Sequence, residues 1–115
     1  LDKIEALLSN NATSEALKYQ KLVLESNGKV AVLGQNIPNP FNGKTIINYY
    51  LPQEVKSAQL VITTVNGLKL VTEQITNRGQ GVLELDATKL ASGNYYYTLI
   101  TDDNKIDTKQ FSLRK

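Results

Sequence analysis

Between residues 45 and 113 apolar side chains return at every second position, in short runs separated by turn-forming residues. A period of two puts alternate side chains on opposite faces of an extended chain, so this part must be built from strands with one buried face. In the run 45–51 the set Ile47, Tyr49 and Leu51 shares one face, while Thr45 and Asn48 are compatible with solvent on their respective sides. Pro52 ends the run. The run 57–65 offers Ala58, Leu60 and Ile62 inward. Asn66-Gly67 then predicts a type I′ hairpin into 68–76, because both central positions of that turn need positive φ. Residues 78–81, with two glycines, read as a turn before 82–86, where Leu83 and Leu85 face in. Residues 91–93 turn the chain again into 94–100, with Tyr95, Tyr97 and Leu99 inward. Residues 102–105 close a last hairpin into 106–113, whose core side carries Phe111 and Leu113.

With a short edge strand at 30–33, these runs make about seven strands with turns roughly every eight to twelve residues. The expected fold is all-β: an immunoglobulin-like antiparallel β-sandwich, with a small barrel as the alternative. Tyrosines and Leu or Ile would fill the space that a Cys pair and a Trp fill in antibody domains. The lead-in is stiff. Pro38 and Pro40 fix their own φ and bias Ile37 and Asn39 toward extended geometry, so no helix crosses here, and Asn42-Gly43 turns the chain into the first long run.

The segment before this is patterned differently. Leu1, Ile4 and Leu8 recur at helical spacing, and Thr13 or Ser14 is placed to cap a second short helix through Leu17, Tyr19 and Val23 after a break at Asn10-Asn11. Residues 17–24 also alternate passably as a strand. The apolar spacing reads either as the end of a coiled coil that oligomerises an upstream region or as a short helix packed on its own domain; one heptad does not separate the two. The organisation read from sequence is therefore a helical appendage at 1–24, a linker with the first strand at 25–34, and a β-sandwich at 35–115.

Composition removes whole classes of function. The chain has no Cys and no His, which excludes disulfides, thiolate or imidazole metal sites, and Cys- or His-based catalysis. Thirteen basic against eleven acidic residues leave a net charge of +2, scattered rather than striped, so nucleic acid is not an expected partner. No apolar run has the roughly 20 residues needed to span a bilayer. The absence of Met marks Leu1 as an internal position of something longer. Ser57, Ser92 and Ser112 have no base partner, so no enzyme is expected. Gly79-Gln80-Gly81 lacks the Lys and the following helix of a phosphate loop, and no cofactor is implied. Asp102, Asp103, Asn104 and Asp107 concentrate oxygen donors in one hairpin, but without the spacing of a calcium loop they read as a solvated turn. Of the 95–97 tyrosine run, only Tyr96 faces out, beside the similarly split Tyr49 and Tyr50.

Five pieces occur in order: 33–42 (Leu-Gly-Gln-Asn-Ile-Pro-Asn-Pro-Phe-Asn), 45–52, Asn66-Gly67, 90–97 (Leu-Ala-Ser-Gly-Asn-Tyr-Tyr-Tyr) and 109–113 (Lys-Gln-Phe-Ser-Leu). Together they resemble the type A C-terminal sorting domain of the Bacteroidetes type IX secretion system, over residues 33–115. The resemblance implies a seven-stranded immunoglobulin-like sandwich that directs a secreted cargo across the outer membrane. It implies as partners the translocon, a shuttle barrel and a sortase that removes the domain near 25–34, and a route through the periplasm to the cell surface or medium. The upstream spacing of Leu1, Ile4 and Leu8 is similar to the coiled-coil ends of large adhesins.

By that resemblance the recognition residues are Pro38, Asn39, Pro40, Gly43, Gly93, Tyr95, Lys109, Phe111, Leu113 and Lys115. The final strand matters most in this reading: it is expected to be an edge read by strand addition or by capture of its end, so that trimming a few residues abolishes export and leaves most of the fold. The competing reading is an immunoglobulin-like structural or adhesive spacer of a surface or hook-cap-type protein, which is indifferent to the last residues.

Overall fold

The alternation is realised as two antiparallel sheets. In the computed structural model, which describes residues 11–115, helix α1 (Asn11–Ser26) precedes seven strands: β1 (Val32–Leu33), β2 (Lys44–Leu51), β3 (Ala58–Thr64), β4 (Lys69–Gln74), β5 (Gly79–Asp86), β6 (Gly93–Thr101) and β7 (Asn104–Leu113). One sheet has the order β1-β2-β5 and the other β4-β3-β6-β7, with every neighbouring pair antiparallel. This is the two-layer immunoglobulin-like arrangement expected from the spacing of the runs.

The core lies between the layers and is filled by the predicted inward sets. Ile47, Tyr49 and Leu51 of β2 meet Leu60 and Ile62 of β3, Tyr95, Tyr97 and Leu99 of β6, and Phe111 and Leu113 of β7 in one buried cluster. Leu85 joins it fully and Leu83 partly. Burying an aliphatic or aromatic side chain stabilises by about 1.5–3 kcal/mol each, which is how a chain without disulfides holds the layers together.

Several local expectations are corrected. Thr45 is 2% exposed rather than solvent-facing, because its hydroxyl donates to Pro38 O at 2.7 Å. The Asn66-Gly67 turn is not type I′: only Gly67 has positive φ (90°), Gly67 N–H bonds to Thr64 O at 2.9 Å, and Thr64 N–H bonds to Leu68 O at 2.9 Å. That is the three-residue hairpin in which a type I turn is followed by a left-handed glycine. The two-residue I′ geometry occurs instead at Asp102 (φ 48°) and Asp103 (φ 68°), between the paired Thr101 and Asn104.

Residues 79–81 are not a turn but the start of β5, with Gly81 opposite Tyr49. A Cβ on Gly81 would run into the Tyr49 ring, so glycine here makes room for an aromatic lying across the neighbouring strand. Tyr96 faces out as expected, but its sheet neighbours are Thr63 and Gln110, while Tyr49 and Tyr50 belong to the other sheet.

Asn11 is helical rather than part of a break, and residues 17–24 are helix, not strand. Leu1, Ile4, Leu8 and Asn10 lie outside the described residues. Helix α1 ends where Ser26 Oγ donates to Val23 O at 2.7 Å and Asn27 (φ 52°) and Gly28 (φ 74°) take left-handed conformations. The helix is not a free appendage at its middle: Tyr19 is buried and lies against Gly34, where an added Cβ would meet Tyr19 Cδ1 at 3.2 Å and Asn48 O at 2.9 Å.

Candidate functional site

Residues 35–43 do not merely lead into β2; they close over the end of β7. Strand alternation turns the backbone groups of Gln110, Ser112 and Arg114 away from β6, toward what would be an open edge. The proline segment fills that edge. Gln35 Nε2 donates to Gln110 O at 2.7 Å, and Ser112 N–H donates to Asn39 Oδ1 at 2.9 Å. Phe41 N–H donates to Ser112 O at 3.0 Å, and Arg114 N–H donates to Phe41 O at 2.8 Å. Phe41 thereby forms a one-residue parallel bridge beside Leu113. Proline suits this segment because it supplies a fixed φ and needs no donor of its own. Both Ile37-Pro38 and Asn39-Pro40 peptide bonds are cis.

Under the backbone clasp lies an aromatic cluster. The Phe111 ring stacks on Tyr95 with centroids 5.1 Å apart, and meets Phe41 at 5.4 Å and Tyr97 at 6.2 Å in tilted arrangements. The two buried hydroxyls are both used. Tyr95 OH donates to Ala91 O at 2.5 Å; Tyr97 OH donates to Gly34 O and accepts from Asn36 N–H, each at 2.8 Å. Burial pushes the Tyr97 hydroxyl well above the ordinary tyrosine value, so it stays protonated. Asn36, 1% exposed, donates through Nδ2 to Pro38 O at 3.1 Å and to Thr45 Oγ1 at 3.3 Å, and its Oδ1 accepts from Gln35 Nε2 at 2.7 Å. This network holds the proline segment in shape from inside.

What faces solvent is a ridge of Pro38, Asn39 and Pro40 between two shallow clefts. One, of about 360 Å³, is lined by Pro38, Pro40, Phe41, Asn42, Lys44 and Arg114 and is basic. The other, of about 380 Å³, runs along Gln35, Asn36 and the prolines to Glu15 of α1. Neither brings together groups able to do covalent or proton-transfer chemistry.

Of the ten residues singled out from sequence, most converge at this end of the sandwich. Pro38, Asn39 and Pro40 form the ridge. Tyr95, Phe111 and Leu113 lie beneath it in the core, as packing rather than contact surface. Gly93 pairs with Leu113, and Gly43 O accepts from Ala87 N–H at 2.8 Å. Lys115 anchors the terminus, its N–H donating to Ser92 Oγ at 3.1 Å and its Nζ to Thr88 O at 2.6 Å. Lys109 stands apart: it is opposite Tyr97 on β7 and pairs with Asp107 at 3.7 Å.

The structure adds Gln35, Asn36, Phe41, Ser92, Ser112 and Arg114, which the sequence reading did not select. Their only signal was position: Gln35, Asn36 and Phe41 flank the prolines, and Ser112 and Arg114 alternate with the inward Phe111 and Leu113. The hairpin carboxylates are engaged locally. Asp102 Oδ1 accepts from Lys56 N–H and Ser57 N–H at 2.9 Å each, and Asp107 Oδ1 accepts from Thr108 N–H at 2.9 Å.

One of two expectations about the last strand is overturned. Its edge is not open from Gln110 to Arg114, since the proline segment occupies it. The other runs against the packing: Phe111 and Leu113, which trimming would remove, are 0% and 1% exposed, at the centre of the core.

Comparison with known proteins agrees with this geometry. The family described as secretion system C-terminal sorting domain matches residues 36–113, a span running from the buried Asn36 to the last residue of β7. An immunoglobulin-like protein from Pseudomonas aeruginosa is similar in structure at 14% identity, covering 64% of this chain and 74% of that one, with a TM-score of 0.44. No curated protein matches the sequence. With more than half of its length matched and the proline segment and final strand inside the match, the chain belongs to the secretion system C-terminal sorting domain family and carries a type IX sorting signal.

Proposed function

We propose that the type IX machinery reads a composite surface, made of the 38–40 ridge and the end of β7 held against it, rather than a linear tail. The observation that carries this is the clasp itself. Four hydrogen bonds join residues 35–41 to 110–114, so neither segment has its recognised shape without the other. Pro38, Asn39, Pro40 and Lys115 are exposed residues of the chosen set that sit on this surface, with Arg114 beside them. Tyr95, Phe111 and Leu113 support it from below, and Gly43 and Gly93 shape the backbone at its margins. The partners are the translocon, the outer-membrane shuttle barrel and the sortase, met after passage through the periplasm on the way to the surface or medium.

Removal of the domain, on this reading, cuts at or before Val30. Val32, Leu33, Gly34 and Asn36 are buried in the sandwich, whereas Asn27, Lys29 and Val30 are exposed in the turn after α1. Residues 1–24 then remain with the cargo, and Leu1, Ile4 and Leu8 give it an oligomerising end.

The test is export of a periplasmically delivered fluorescent protein fused to the full chain in a type IX-competent bacterium. Asn39→Ala and the double charge reversal Arg114→Glu/Lys115→Glu leave Phe111 and Leu113 in place. The expected result is surface fluorescence for the parent fusion and a several-fold loss for both variants, with the purified variants still folded by circular dichroism. Unchanged export of folded variants rejects the composite surface.

A further inference from the structure

Four strand edges bound the two sheets, and three of them are blunted. The β7 edge is filled by Gln35, Asn39 and Phe41, and at Thr108 by the Asp107 carboxylate. The β1 edge is two residues long, with α1 packed beside it. The β4 edge is short, carries Lys69 and Glu73, and has a register break opposite Ile62 and Thr63. Short length, inward charges and bulges are the usual means of keeping an edge from pairing.

The β5 edge carries Glu84 and Asp86, both pointing away from the core, but it is neither short nor broken. It runs eight residues without a register break and contains neither Lys nor Pro. Its orientation follows from its neighbours. Ala87 N–H bonds to Gly43 O toward β2, while Ile46 and Asn48 of β2 bond away from β5, to Ile37 and Gly34. Alternation therefore turns the backbone groups of Gly79, Gly81, Leu83 and Leu85 toward β2 and those of Gln80, Val82, Glu84 and Asp86 outward. Among the described residues these outward N–H and C=O groups have no strand beside them.

Next to this edge the sandwich is open. A cleft of about 370 Å³ lies between β4 and β5. Val71, Leu83, Leu85 and Leu90 line its apolar part, and all but Leu85 are only partly buried. Its rim holds three carboxylates, Glu73, Glu84 and Asp86, against the amine of Lys89. The hydrogen bonds of Thr88 to Asp86 Oδ1, from N–H at 3.0 Å and Oγ1 at 2.7 Å, hold that carboxyl below the usual range and so charged.

We propose that β5 is a docking edge for an extended segment of a partner protein in which apolar and basic side chains alternate. The segment adds to β5 through the outward groups of Gln80, Val82, Glu84 and Asp86. Its apolar side chains enter the cleft over Val71 and Leu83, and its cations, on the opposite face, meet Glu84 and Asp86, which alternate with Leu83 and Leu85 along β5. Unpaired backbone supplies affinity, the slot selects an apolar residue at every second position, and the carboxylates, which outnumber Lys89 and the Lys44 amine 3.9 Å from Glu84 by three to two, select the charge of the partner. This surface is on the open side of the sandwich, distinct from the 38–40 ridge, and does not depend on that ridge being the sorting surface.

The experiment titrates the full chain, isotopically labelled, with an acetylated ten-residue peptide of alternating valine and lysine, and follows the backbone amides by NMR. The control peptide has the same residues in two separate blocks. The expected result is shifts and slowed amide exchange concentrated at Gln80, Val82, Glu84 and Asp86 with the alternating peptide only. Val82→Pro removes an N–H that faces outward and so takes no bond from β2; it should weaken binding at least tenfold. Glu84→Lys leaves the backbone intact and should weaken binding several-fold, with less difference at high salt. Equal binding of the block peptide, shifts elsewhere, or indifference of a folded Val82→Pro or Glu84→Lys variant overturns the proposal. So does a dimer of the peptide-free chain in sedimentation that Val82→Pro dissolves, since a second copy would then own the edge.

Discussion

The side-chain oxygen of Asn39 accepts the backbone N–H of Ser112 at 2.9 Å, joining residues 73 positions apart. Asn39 sits between two prolines and so is held in extended geometry, with its amide aimed at an edge that no strand covers. Replacing it with Ala leaves the Ser112 donor to water. Because the bond is exposed, the cost is about 0.5–1.5 kcal/mol, a shift of a few degrees in melting temperature. Thermal melts of Asn39→Ala should show this modest loss; a collapse of the fold would mean that the segment has a structural weight beyond this one bond.

Phe111 predicts the opposite balance. It is fully buried and touches three other rings, so Phe111→Ala should cost about 3–5 kcal/mol, most or all of a small domain's stability. Deleting residues 110–115 removes Leu113 as well and should give an unfolded chain by circular dichroism. A folded deletion variant would contradict the packing described above.

Gly81 tests how β5 fits under Tyr49. The Tyr49 hydroxyl donates to Asn77 Oδ1 at 2.6 Å, which fixes the ring across the glycine. Gly81→Ala should therefore destabilise by about 1–3 kcal/mol through overpacking, whereas the same change at Gly67, which has open space around it, is limited to the strain of its positive φ. Urea denaturation midpoints of the two variants compare these costs directly.

Alkaline pH should weaken the fold through two tyrosines. Burial pushes Tyr19 from its ordinary value of 10.0 up to about 12, and Tyr97 higher still. The unfolded chain sheds these protons first, so the stability they contribute is complete below pH 10 and is lost as the pH rises from there through the folded-state values. Urea midpoints measured between about pH 8 and about pH 11 should fall on the alkaline side. Tyr97→Phe should make that fall shallower while costing about 1–3 kcal/mol at neutral pH, because Asn36 N–H loses its acceptor. An unchanged slope would remove Tyr97 from the account.

What was legible in the sequence was whatever follows from period two. Ile47, Tyr97 and Leu113 could be assigned inward because a strand leaves no other choice once one face is buried. Three kinds of feature were not legible. Turn type depends on backbone angles that Asn-Gly permits but does not impose, and the I′ geometry went to Asp102-Asp103 instead. A glycine pair reads as a turn unless the ring that covers it is known, which is why β5 was begun late, at Val82. The burial of Thr45 needed the partner at Pro38, and the clasp needed pairs such as Asn39 and Ser112; no local pattern reports such contacts between distant segments. For the candidate site, most of the residues chosen from sequence gather at one end of the molecule, but the reading treated core residues such as Phe111 as contact surface and passed over the polar residues Gln35 and Ser112 that shape that end.

The clasp also carries a meaning for synthesis. A chain made from its amino end presents the 38–40 ridge some seventy residues before its counterpart exists, and the ridge has nothing to close on until Ser112 and Leu113 have been added. A product broken off earlier lacks the core residue and the address together. On the proposed reading, a secretion apparatus that responds only to the closed form passes over any product that stops short of Leu113, so the clasp doubles as a check on completed synthesis.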